Sequence, residues 1–196
     1  MIENQAILIL AAGASSRMGA RDKLMEPVNE QPLLQVMCKR ALDTGFSVYV
    51  CLPDPEHVRC GVLPDGVKPI WVPDAAEGMA ASLRTGIIAL PTTVTDVMIL
   101  PADMPELTTT DLQTVWKSHE PHGLTRGASA EGRPGHPVIF PSDLFRELET
   151  LKGDEGAKSV LVRHRQRLCL VPLPKQHALT DLDTPDAWDA WRHAQH

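Results

Sequence analysis

The stretch AILILAAGASSRMGARDKL, Ala6 to Leu24, decides how the fold of this chain is read. Ala6–Leu10 is a short apolar run without alternation, as expected of a strand covered on both faces. It runs straight into small residues and cations rather than into a polar hairpin turn. Gly13 permits backbone geometry closed to other residues, and small neighbours let amide N–H groups come close to a ligand. A helix beginning soon afterwards would add its positive end. Arg17 offers a bidentate fork and Lys23 a compact point charge. Together these suit a polyphosphate, although the same letters fit a solvated strand–helix loop with incidental cations. Spacing excludes two familiar phosphate loops. A Walker A loop carries Lys directly after its second glycine, whereas Gly13 and Gly19 are six apart and Ala20 follows. The dinucleotide fingerprint needs a glycine where Ser15 stands.

Working outward, Leu33 to Asp43 carries a helical apolar stripe closed by Gly45, a C-cap candidate. Ser47–Leu52 reads as a second strand, Pro69–Val72 as a third, Ala80–Leu90 as a helix and Asp96–Leu100 as a fourth strand. The next helix is expected to start from a cap at Thr108 or Thr109 and to run to about His119. Pro137–Phe140 and Leu168–Val171 are later strands, with helical stretches at Ser142–Leu151 and Gly156–Arg163 between them. A last helix, Asp186–His193, follows Pro185. Strand–helix alternation through the first half predicts an α/β fold: three layers, Rossmann-like, with a mostly parallel sheet between helices. In such sheets ligands sit beyond the carboxyl ends of the strands, near the switch in strand order.

Bulk properties bound the function. A chain of 196 residues makes one sizeable domain, and a formal net charge of −6 argues against a nucleic-acid polymer as partner. No membrane span is expected, because nothing approaches the eighteen or so continuous apolar residues one requires. The start lacks the cationic opening of a secretory leader, and Cys38, Cys51, Cys60 and Cys169 are scattered without ligand-like spacing. A cytoplasmic protein with reduced thiols is the expectation.

Two acidic stretches could hold a cation. PADMPEL, Pro101 to Leu107, puts Asp103 on a proline-flanked turn after the fourth strand. A carboxylate fixed there can hold Mg2+, which takes one or two carboxylates plus phosphate oxygens and water, or it can cap the turn. DLDTPDAW, Asp181 to Trp188, places two carboxylates one residue apart, on the same side if the stretch is extended. Asp and Thr before Pro are also ordinary helix-start chemistry. In GRPGHPVIF, Gly132 to Phe140, Gly135 and His136 precede a strand, which fits a tight turn as well as a ligand contact. PDAAEGMAASLRTG, Pro73 to Gly86, reads as a helix start, with Ser82 inside it and Arg84 either solvated or reaching phosphates.

The loop L-A-A-G-A-S-S-R-M-G followed by Lys23 resembles the signature of nucleotidyltransferases that activate sugars, lipid precursors and the molybdenum cofactor. It is most similar to the group that attaches a nucleotide to molybdopterin, the MobA-like family, and within it to the cytidylyl branch. The resemblance spans the whole chain in separated motifs, in the family's order: the loop, PDAAEG, PADMPEL, the GRPGHP and GDEGAK segments, and DLDTPD. It implies one nucleotidyltransferase domain over 1–196, with an NTP-binding half to about 105 and an acceptor-binding half from about 106. It implies that Leu10, Ala11, Ala12 and Gly13 contact the nucleotide, with Asp74, Gly78 and Ser82 near the base. Arg17 and Lys23 would lie on the phosphates, acting with Asp103 in catalysis. Asp103 and Asp183 would hold Mg2+, with Asp181 the second choice. Gly135, His136 and Lys158 would face the acceptor; Lys158 stands where the family commonly has arginine, which keeps the charge and loses the planar fork. Relatives using GTP commonly read L-A-G-G, so Ala12 points to CTP. The implied partners are an NTP, a molybdopterin-type acceptor and a molybdoenzyme or its chaperone. Other readings are a GTP-dependent enzyme, a transferase acting on a sugar or alcohol phosphate, and a non-catalytic nucleotide- or cofactor-binding chaperone module.

Overall fold

The computed structural model describes residues 4–153 and 156–194. Its centre is a seven-stranded sheet of β1 (Gln5–Leu10), β4 (Ser47–Leu52), β5 (Lys68–Trp71), β6 (Asp96–Pro101), β7 (Leu124–Ala128), β8 (Pro134–Pro141) and β9 (Leu168–Pro172). A two-stranded ribbon, β2 (Pro27–Val28) and β3 (Gln31–Pro32), stands apart from it. The order across the large sheet is β5-β4-β1-β6-β8-β7-β9, and only β8 runs against its neighbours. The chain goes from β1 outward to β4 and β5, then returns to β6 on the other side of β1. The order therefore switches between β1 and β6, where a crevice opens at the carboxyl ends.

Strand alternation divides the core in two. Ile7 and Ile9 of β1 face one layer with Met98 and Leu100 of β6, while Ala6 and Leu8 face the other with Val97 and Ile99. The first layer is closed by α1 (Leu33–Leu42), α3 (Thr109–Lys117) and α6 (Pro185–Ala194). The second is closed by α2 (Met79–Ala89), α4 (Phe145–Leu148) and α5 (Lys158–Arg163). Both faces of β1 are buried, which explains why its sequence shows no polar alternation. Helix α3 starts from Thr108 in a reciprocal cap: Asp111 N donates to Thr108 Oγ1 at 3.2 Å, and Thr108 N donates to Asp111 Oδ2 at 2.8 Å.

Three expectations change. The loop after β1 enters a three-residue 3-10 turn, Ser16–Met18, and the first α-helix begins only at Leu33. No described α-helix starts from the loop, so the positive charge it offers comes from its amides and its cations. Gly13 lies outside the left-handed region and a Cβ there would meet nothing; Ser15 (φ 52) and Gly19 (φ 65) hold the left-handed geometry. Gly13 thus leaves open space rather than making a special turn. The third change is β7, Leu124–Ala128, which the sequence reading passed over because LTRGA is short and carries an Arg and a Gly. Of the GDEGAK segment, Asp154 and Glu155 lie outside the described residues, and α5 starts at Lys158 rather than Gly156.

Candidate active site

The loop after β1 is shaped from behind by Arg59, which sequence reading missed. Arg59 sits in a 3-10 segment after β4 and is 2% exposed. Its Nε and Nη2 grip Asp22 at 2.7 Å each, and Nη1 donates to Ala11 O at 2.5 Å and Gly13 O at 2.9 Å. Nη2 also reaches Ser15 Oγ at 3.1 Å. With their carbonyls turned back onto a buried guanidinium, Ala11 and Gly13 are held in one conformation. Burial works against the Asp22 charge, but the Arg59 bonds and charge outweigh it and hold the carboxyl below the usual range. No signal in the sequence marks Arg59; a lone Arg between Val58 and Cys60 is unremarkable.

In front of the loop, Lys23 Nζ lies 2.6 Å from Asp103 Oδ2 and 2.6 Å from Asp183 Oδ1. Arg17 Nη2 reaches the other oxygen of Asp183 at 2.5 Å. Asp103 sits on the turn just past β6, and Asp183 just before α6. The two segments are stitched together, as Leu182 N donates to Asp103 O at 3.3 Å. Burial opposes the Lys23 charge, yet the two carboxylates outweigh it and raise its pKa. Asp181 takes no part in these bonds. Burial and the negative charge of Asp183 and Asp103 push its carboxyl up, so it stands near the pair without a cation of its own. Among the described residues Lys23 is thus the only bridge between the two carboxylates, whose side chains remain 18% exposed.

A cleft of about 540 Å³ opens over this cluster, lined by Leu10 to Ala14, Arg17, Lys23, Gly78, Ser82 and Asp103. Every nucleotide contact expected from the sequence lines it except Asp74, which is exposed beside the Ala75–Glu77 turn. Arg84 neither reaches the cleft nor is left to solvent: it pairs with Glu77 and donates to Leu151 O at 2.7 Å. A second cavity of about 220 Å³ shares Leu10 and Met79 with the first and holds His136 and Lys158. Gly135 lies outside this lining. A Cβ on Gly135 would come within 1.9 Å of Ala178 O, so the glycine is explained by close backbone approach. His136 N donates to that same carbonyl at 2.8 Å. Burial and the nearby Arg126 charge, partly offset by Asp103, lower the His136 pKa to about 4, and its Nδ1 is buried with no partner among the described residues. His136 is therefore neutral at neutral pH.

Asp103 and Asp183 present oxygen donors facing one point, now filled by an ammonium group. That set fits a hard divalent cation that completes its shell with phosphate oxygens and water. No group of three or more His, Cys, Asp or Glu that could hold a metal occurs among the described residues. With cations on the loop and two carboxylates opposite, the cleft can bind a polyphosphate and neutralise charge that develops on it.

Residues 7–168 match the family model described as MobA-like NTP transferase domain. The chain is 29% identical to "Purine catabolism protein PucB" of Bacillus subtilis, over 95% of each chain. It is 34% identical over 113 residues to the "Probable molybdenum cofactor guanylyltransferase" of a Nostoc species, covering 57% of this chain and 52% of that one. The match thus spans about half the length of that relative. The crystal structure of Rv0371c of Mycobacterium tuberculosis H37Rv in complex with manganese matches with a TM-score of 0.80 and 23% identity, over 95% of this chain and 97% of that one. That likeness is one of fold.

Proposed function

The chain belongs to the MobA-like NTP transferase family, and from that premise we propose that it transfers a nucleoside monophosphate from an NTP, CTP favoured, to the terminal phosphate of molybdopterin. The observation that carries the reading is the bridge of Lys23 between Asp103 and Asp183, with Lys23 and Asp103 lining the same cleft as Gly13. An oxygen of the acceptor phosphate attacks the α-phosphorus in line, the α–β anhydride bond breaks, and pyrophosphate leaves with the bond's electron pair. An ionised phosphate is already a nucleophile at neutral pH, so no strong general base is needed. Asp103 and Asp183 would hold Mg2+, which supplies positive charge to the triphosphate. The manganese in the Rv0371c structure supports a divalent cation in this fold. Arg17 and Lys23 turn from the carboxylates to the phosphates and stabilise the departing pyrophosphate. Leu10 to Gly13, Gly78 and Ser82 line the cleft where the nucleoside lies. His136 and Lys158 sit in the adjoining cavity, on the acceptor side. In this reading residues to about 105 serve the nucleotide and the rest the acceptor. No described helix is long and apolar enough to cross a membrane. The reading has a cytoplasmic enzyme hand its product to a molybdoenzyme or its chaperone.

The choice of CTP rests on Ala12 in the L-A-A-G loop. A guanylyl reading is favoured by the name of the Nostoc relative. Pyrophosphate release measured with CTP, GTP and ATP against molybdopterin decides between them, and release without dependence on acceptor or Mg2+ sinks both. Asp103→Ala should lower turnover by about 100-fold or more while the fold survives, because it removes charge placed for the reaction. Normal turnover in that variant would overturn the assignment.

A further inference from the structure

We propose that Arg126, which the sequence reading did not single out, grips the terminal phosphate of the acceptor and aims it at the nucleotide. The inference deepens the transferase reading and rests on it. Arg126 lies on β7 and lines the 220 Å³ cavity together with His136 and Lys158. The rest of that lining is apolar or small, including Leu83, Ile99, Val138 and Phe140, and among the described residues no carboxylate contributes to it. A cavity with an apolar body whose described polar side chains are two cations, Arg126 and Lys158, and the neutral imidazole of His136 suits a ring system that carries an anion.

The bonding of Arg126 is unlike that of the other buried arginines. Arg59 spends its donors on Asp22 and loop oxygens, and Arg40 donates to Pro105 O at 2.7 Å and Leu107 O at 2.8 Å. Arg126 makes one bond, from Nε to Gly135 O at 2.7 Å, and its two terminal nitrogens have no partner among the described residues. Burial works against its charge, and no carboxylate among the described residues offsets it. A half-buried guanidinium held at one nitrogen and open at the other two is preorganised for bidentate contact with a phosphate.

Local structure shows how the fork is held. Between the pairs Arg126↔Val138 and Ala128↔Pro134, β7 advances two residues while β8 advances four. The extra residues of β8 bulge, and that irregularity frees Gly135 O from the ladder to accept from Arg126. Gly127 permits the approach, since a Cβ there would lie 2.4 Å from His136 O. The cavity shares Leu10 and Met79 with the nucleotide cleft, so a phosphate held by Arg126 borders the cleft over Asp103.

Two measurements test this. In steady-state assays with molybdopterin, Arg126→Gln should raise the acceptor KM about 10- to 100-fold and leave the NTP KM unchanged. Arg126→Lys, which keeps the charge, should recover part of the loss. The second measurement does not depend on the acceptor's identity. Ligand-observed NMR follows phenyl phosphate binding to protein saturated with Mg2+ and the α,β-methylene analogue of its tightest-binding NTP. Wild type should bind phenyl phosphate but not phenol, and Arg126→Gln, checked for folding by circular dichroism, should lose that binding. If wild type ignores molybdopterin while phenyl phosphate binding still requires Arg126, the assigned acceptor falls and the anion site stands. If phenyl phosphate fails to bind wild type, or binds Arg126→Gln equally well, the proposal is overturned.

Discussion

At the scale of single residues, the loop after β1 owes its shape to a side chain outside the cluster of Lys23, Asp103 and Asp183. Arg59 contacts Asp22, Ala11, Gly13 and Ser15 at once, so its removal strands a carboxylate and two carbonyls together. Breaking one partner out of a buried ion pair typically costs about 3–5 kcal/mol, far more than the pair adds over an apolar substitute. Arg59→Met should therefore lose about that much in urea denaturation, and the double variant Arg59→Met with Asp22→Asn should recover part of it. A loss below about 1 kcal/mol would show that water replaces the guanidinium. The same pair sets a pH dependence. The folded state holds Asp22 below its ordinary pKa, so its contribution is complete above about pH 4, where unfolded carboxyls are ionised too. It fades as pH falls through the lowered folded value. The stability gap between wild type and Asp22→Asn should stay constant from neutral pH down to about pH 5 and close below about pH 4. A gap that widens on acidification would contradict the pairing.

At the scale of elements, the site depends on the segment between β9 and α6, which runs from the bulge of β8 to the turn after β6. Ala178 O takes the His136 N–H at 2.8 Å, Thr180 Oγ1 donates to Glu106 at 2.7 Å, and Trp191 Nε1 donates to the same carboxylate at 3.2 Å. These bonds carry Asp183 to Lys23. Gly135→Ala would force its Cβ against Ala178 O, a backbone atom with no flexible end to yield. Overpacking of this kind costs about 1–3 kcal/mol, and here the strain is relieved by moving the segment that carries Asp183. The variant should lose a few degrees in Tm and raise the Mg2+ requirement for turnover. An unchanged Mg2+ requirement would show that the segment is held by Glu106 and the buried Trp188 alone. The regular elements of this architecture were legible because strong periodicity or caps marked them: the buried run of β1, the stripe of α1, Thr108 before α3. Strand β7 was not legible, because its five residues draw their stability from pairing with β8 and β9 rather than from their own propensity.

At the scale of the whole molecule, the cluster joins three distant parts of the chain, Lys23 lying 80 positions from Asp103 and 160 from Asp183. All three residues stand out in the sequence, but the place of Lys23 between the carboxylates does not, since it follows from the topology returning β6 beside β1 and the last segment over both. Arg126 and Arg59 were invisible for the same reason: their roles exist only once separate elements meet. The ion pairs also engage the cations that a bound triphosphate would draw to itself. A triphosphate that draws Arg17 and Lys23 to itself leaves Asp103 and Asp183 facing each other without compensation, and a divalent cation removes that repulsion. The Arg17 pair is easily given up, because Arg17 is 67% exposed and such pairs contribute little. Cation and nucleotide should therefore raise each other's affinity, by a factor of about 10 or more, and linkage requires the two effects to be equal. Calorimetric titration of CTP in Mg2+ and in EDTA measures one side, and titration of Mn2+ with and without CTP the other. Free CTP already binds these cations in water, so the decisive comparison is Asp183→Asn, which removes one of the two charges left facing each other. That variant should bind CTP more tightly than wild type in EDTA and show a smaller gain when Mg2+ is added. If Asp183→Asn leaves CTP affinity in EDTA unchanged, the bridge does not compete with the nucleotide, and Lys23 remains on the carboxylates throughout.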